Sequence, residues 1–123
     1  MFTGRLLTES LRVGADIAVA DMRLRRCGRH DVSDSTTPSQ PTTWTFVDFE
    51  IPEARADELA AALADALLPD DGWYADFQSV DEHVVVFASA VFRYRKGDTK
   101  ARDEMIAYGH AAGTPGHQLD WGD

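Results

Sequence analysis

The stretch HVVVFASAVFRYR, residues 83–95, decides how this chain folds. Its even positions carry Val84, Val86, Ala88, Ala90, Phe92 and Tyr94, and its odd positions add Val85, Phe87 and Val91. A strand with one wet face alternates apolar and polar residues. This run is apolar on both sides, so both faces of its sheet need a cover here. A single strand of about twelve residues would be long against the usual five or six. A bend near Ser89-Ala90 would exchange the facing beyond it. Phe92 and Tyr94 would then join Val85 and Phe87, and Val91 would turn to the other side.

Working back from this run, WYADFQSV (residues 73–80) reads as its hairpin partner across Asp81-Glu82. Pairing Val80 with His83 sets Phe77 opposite Val86. It also places Tyr74, Asp76 and Gln78 on the face of Val85 and Phe87. Further back, WTFVDFEIP divides into Val47, Phe49 and Ile51 on one face and Trp44, Phe46, Asp48 and Glu50 on the other, with Pro52 closing the strand. Between them, Leu59, Leu63 and Leu67 recur every four residues in an alanine-rich segment, which predicts a helix over about 54–68 ended by PDDG. Alternation in MRLRRC predicts a strand over about 17–27, with LLTESLRVG ahead of it at most a short extended segment. GRHDVSDSTTPSQPTT, residues 28–43, is polar with two prolines and reads as a long connection with a mobile tip. A last helix starts at Asp98 or Thr99 and carries Ala101, Met105, Tyr108 and Ala112 as a stripe. Gly113 and Pro115 stop it, and the tail docks through Leu119 and Trp121.

The order β-β-α-β-β-α predicts one α+β domain over residues 1–123. The expected architecture is a two-layer sandwich: an antiparallel sheet of four or five strands with both helices on one face. The other face then carries Trp44, Phe46, Tyr74, Asp76, Val85 and Phe87. Arg23, Arg25, Arg93 and Arg95 join Asp48 and Glu50 at its rim. These apolar groups could exceed the roughly 400 Å² that a monomer leaves bare. The expected covers are a second copy of the chain, a ligand, or the chain's own N-terminus or long loop.

Composition narrows the function classes. The formal charge is −9, which disfavours nucleic acid, since phosphate neutralisation needs clustered Lys and Arg. The charge is uneven, however: residues 1–30 hold six Arg against three acids. Cross-strand pairing is the ordinary role for them. No stretch approaches a membrane span or a signal peptide, and Cys27 is the single cysteine, so a reduced, cytoplasmic protein is expected. No phosphate loop or nucleophile elbow occurs. His110, His117 and Asp120 could meet at a turn, but the pattern is non-specific, and no metal, cofactor or catalytic residue is assigned. Among carboxyls, Asp76 between two aromatic residues best suits acid–base work, followed by Asp48 and His83.

GWYADF, VFRY, AYGHAAGTP and QLDW resemble segments of a family of small bacterial proteins, chiefly actinobacterial, with no assigned activity. The resemblance implies a free-standing cytoplasmic domain and no catalytic residue. The expected function is a non-enzymatic binding or interaction module that homodimerises through its open sheet face, with small-molecule or protein partners and neither nucleic acid nor membrane. The alternative is a small enzyme or ligand-binding protein whose pocket on that face is floored by Trp44, Tyr74 and Phe87 and edged by Asp76 and an arginine. A weaker third reading gives the acidic surface a basic protein partner.

Overall fold

A computed structural model describes residues 1–119. Six strands form one antiparallel sheet: β1 (Phe2–Leu7), β2 (Arg23–Asp31), β3 (Thr43–Ile51), β4 (Tyr74–Gln78), β5 (Glu82–Phe87) and β6 (Ala90–Arg95), in the spatial order β2-β3-β1-β4-β5-β6. Two helices complete the fold, α1 (Ala56–Ala66) and α2 (Thr99–Ala111). The α+β class and the antiparallel sheet agree with the sequence reading, but the expected count of four or five strands does not. The N-terminal segment is a full strand at the centre of the sheet. The 83–95 run is also two strands, because Ser89 takes a left-handed turn (φ 63°) after Phe87.

The expectation that both helices share one face is not met: they lie on opposite faces. Successive residues of a strand point to opposite sides of the sheet. On β5, Val84 and Val86 pack with Leu59 and Leu63 of α1, while Val85 and Phe87 pack with Met105 of α2. That is why the opening stretch fails to alternate: a helix of this same chain covers each of its faces. The first core gathers Phe2, Leu6, Phe49, Ile51, Phe77, Val84 and Val86 under α1. The second gathers Val85, Phe87, Tyr94, Met105 and Leu119 under α2 and the segment after it.

Local chemistry places both helices. The Leu59–Leu63 spacing keeps both side chains on one stripe of α1, and each is fully buried. Burying a leucine contributes about 1.5–3 kcal/mol, so this pair anchors the helix to the sheet. Asp98 caps α2 by accepting the Ala101 N–H at 3.1 Å, and Gly113 (φ 97°) ends it. Gly109 lets α2 approach closely, since a Cβ there would stand 2.7 Å from Leu119 Cδ1.

The β4–β5 hairpin pairs Gln78 with His83 and Tyr74 with Phe87, two residues away from the expected register. The Ser79 N–H donates to the Glu82 carbonyl at 2.9 Å, so the tip of the hairpin falls at Val80-Asp81, one residue earlier than assumed. A shift of two preserves facing, and Tyr74, Asp76 and Gln78 stay on the side of Val85 and Phe87. Strand β2 starts later and runs further than expected, leaving residues 32–42 as the connection to β3.

Candidate functional site

On the second face of the sheet, α2 and the segment after it cover the β5–β6 end. Strands β2, β3, β1 and β4 leave a groove beside them, in two parts that share Arg5 and Asp76. The narrower part is a cavity of about 230 Å³ built around Trp44, Phe46, Trp73 and Tyr74, with Leu7 in its floor. Alternation on β3 sends Trp44 and Phe46 to this face, and β1 supplies Arg5 and Leu7 beside them. The Trp44 and Trp73 rings stand edge to face with centroids 5.5 Å apart. Trp44 is 8% exposed, and among the described residues its buried Nε1–H has no hydrogen-bond partner.

The rim is tied across the fold. Tyr74 donates its hydroxyl to the Gln118 carbonyl. Gln118 Nε2 donates to the Ser35 carbonyl at 2.7 Å, joining the 32–42 connection to the segment after α2. Burial raises the Tyr74 phenol above its ordinary value of 10.0, and the nearby Asp76 charge adds to the shift. A phenol with a raised folded-state value keeps its proton while the unfolded chain loses it. Stability is therefore intact below pH 10 and declines as the pH rises above it. A melting series from pH 8 upward is expected to fall more steeply for wild type than for Tyr74→Phe. Parallel curves would show that Tyr74 is not buried in this way.

At the centre, Arg5 forks onto Asp48 of the neighbouring strand, Nε to Oδ1 at 2.6 Å and Nη2 to Oδ2 at 3.1 Å. This fork holds the Asp48 carboxyl below its usual range. The Arg5 guanidinium also lies 4.6 Å from the Phe46 ring centroid. Asp76 stands across β1 from this pair, opposite Arg5. Its Oδ2 lies 2.8 Å from Nε2 of His83, whose Nδ1 lies 3.0 Å from the Tyr94 hydroxyl. A carboxylate only accepts, so Nε2 carries the proton toward it; in a neutral imidazole Nδ1 then accepts from Tyr94. His83 is 1% exposed, whereas the Asp76 side chain keeps 32% exposure. Asp76 is thus held from behind by a buried chain of side chains while it remains open to the groove.

The wider part, about 510 Å³, lies toward β2 and is lined by Arg5, Arg25, Arg26, Asp48, Asp76 and Gln78. A break in the β2–β3 register between Leu24 and Arg26 shapes it. Strict alternation would put Arg25 and Arg26 on opposite faces; the bulge lets both reach the groove. Arg23 and Arg25 each approach Glu50 at 3.8 Å, and Arg26 has no ion-pair partner among the described residues.

Of the residues expected to form a site, Trp44, Phe46, Tyr74 and Asp76 come together in the groove. Val85 and Phe87 do not: they are 0% and 2% exposed beneath α2. Their cover is neither the N-terminus nor the long loop, but a helix and the segment following it. Arg93 lies on the other side of the sheet, because β6 pairs it with Val84 of the first core. There it binds Glu82 at 2.9 Å and Asp57 of α1 at 2.8 Å. Arg95 shares that side, two residues along the strand. Arg5, Leu7, Trp73, Gln118 and Arg26 were missed. For the first two, the alternation Phe2, Gly4, Leu6 in FTGRLL was a signal. Among the described residues no group of three or more potential metal ligands converges. His117 instead lies 3.0 Å from the Ser35 carbonyl, and Asp120 and Trp121 lie outside the described residues. No described helix is long and apolar enough to cross a membrane.

No family model, curated protein or solved structure matches this chain.

Proposed function

We propose that this protein is a binding module that takes a small organic molecule, flat and apolar at one end, in the groove on the second sheet face. The observation that carries the reading is the cavity of about 230 Å³ walled by Trp44, Phe46, Trp73 and Tyr74, with a buried indole N–H left without a partner among the described residues. Ligand sites are typically concave, mostly apolar and furnished with a few oriented polar groups. Here those groups are Asp76 and Arg5, one held by His83 and the other by Asp48. Homodimerisation through this face, the other reading of the same residues, rested on Val85 and Phe87 needing an external cover. It loses that support because α2 supplies one.

Trp44 and Trp73 provide the readout. Benzyl alcohol titrated into wild type is expected to change tryptophan emission and to give saturation-transfer NMR signals at millimolar concentration. Leu7→Trp, which fills the floor of the cavity, is expected to abolish both. A response equal in the two proteins, or none in wild type, would remove the reading.

A further inference from the structure

Resting on that reading, we propose that the ligand is nucleotide-like: a planar ring, a hydroxylated middle and a phosphate end. The groove presents three chemistries in sequence. The aromatic part offers π faces for a ring. Asp76, common to both parts, offers a carboxylate fixed by His83 and suited to accept from hydroxyl groups. The wider part offers Arg25 and Arg26.

The charges favour an anion there. The groove face holds Arg5, Arg23, Arg25 and Arg26 against Asp48, Glu50 and Asp76, an excess of one cation in a chain of formal charge −9. Asp48 is forked by Arg5 and also lies in the field of Arg26 and Arg25, while Glu50 is shared between Arg23 and Arg25 at 3.8 Å each, so these four cations share two carboxylates. The guanidinium groups nearest the cavity are therefore under-neutralised. Charges elsewhere on the protein weigh little, since at physiological ionic strength exposed charges are screened beyond about 8 Å. A guanidinium fork matches phosphate oxygens in bidentate fashion. Geometry sets the ligand's length. Trp44 and Asp48 are four residues apart on β3, so their backbone positions stand about 14 Å apart at about 3.4 Å per residue, a span that side chains reaching inward from both ends shorten. A nucleoside monophosphate spans such a distance, and its ribose hydroxyls would fall between the two ends, beside Asp76.

The test is calorimetric titration with AMP, adenosine and ribose 5-phosphate on wild type, Leu7→Trp and the double variant Arg25→Gln/Arg26→Gln. Both arginines are exposed on an edge strand, so the double variant should keep wild-type stability. AMP is expected to bind at least tenfold more tightly than adenosine. The arginine variant should lose that gain and leave adenosine unchanged, whereas Leu7→Trp should weaken both. AMP binding no tighter than adenosine, or an AMP advantage retained without the two arginines, would overturn the phosphate end while leaving the aromatic pocket standing. Ribose 5-phosphate binding as tightly as AMP, with adenosine silent, would sustain the phosphate end and overturn the pocket.

Discussion

Replacing Phe87 by aspartate is expected to unfold the protein rather than to separate two copies of it. Phe87 is 2% exposed and sits among Tyr74, Phe92 and Tyr108, with ring centroids 6.0, 5.9 and 5.1 Å away. Emptying such a site removes about 3–5 kcal/mol, and a carboxylate placed there adds a desolvation penalty with no partner to offset it. Small domains have about 5–15 kcal/mol in total, so most of the stability goes. Urea unfolding followed by far-UV circular dichroism, with light scattering for size, distinguishes the outcomes. A variant that stays folded within about 1 kcal/mol of wild type would show that Phe87 is not interior.

Gly4→Val should be nearly as damaging for the opposite reason. Gly4 lies on the central strand with its missing side chain aimed at the first core. A Cβ there would stand 2.5 Å from Phe77 Cβ, 2.6 Å from the Asp76 carbonyl oxygen and 2.8 Å from Phe49 Cζ. One of these is backbone and another is a Cβ, so neither can swing away. Overpacking typically costs about 1–3 kcal/mol, and a branched side chain against fixed atoms belongs at or above the top of that range. Because Asp76 supplies one of the obstructing atoms, the substitution also disturbs the groove. Thr3→Val, one residue earlier and facing the other way, should change stability by less than about 0.5 kcal/mol. Similar unfolding midpoints for the two variants would contradict the register of β1.

Much of the sheet was legible because half-buried strands declare their facing. Residues 44–51 separated correctly into two faces, and the Leu59–Leu63 spacing marked α1. Asp76 and Tyr74 reached the correct side despite a register error of two, since side-chain period and error were both even. The position of α2 was not legible. Its apolar stripe is weak, with Met105 buried and Tyr108 39% exposed, and nothing in it states which face of the sheet it meets. From that one ambiguity came the mistaken need for an external cover over Val85 and Phe87. Arg93 was misplaced because its facing turned on whether the 83–95 run bends. The arginine end of the groove was hidden for another reason: a bulge interrupts the period on which facing arguments depend.

The central place of β1 bears on how the molecule comes together. Hairpins β2–β3, β4–β5 and β5–β6 join neighbours in sequence, whereas Phe2 pairs with Ile51, and Arg5 with both Asp48 and Asp76. Loop-closure entropy favours the local ladders first, so β1, the earliest of these six strands in sequence, should be the last to be captured, closing the seam between two halves. Arg5, Asp48 and Asp76 sit on three strands that meet along that seam. Whatever binds there should slow its reopening, and amide exchange in residues 2–7 would report occupancy before any global change in stability is measurable.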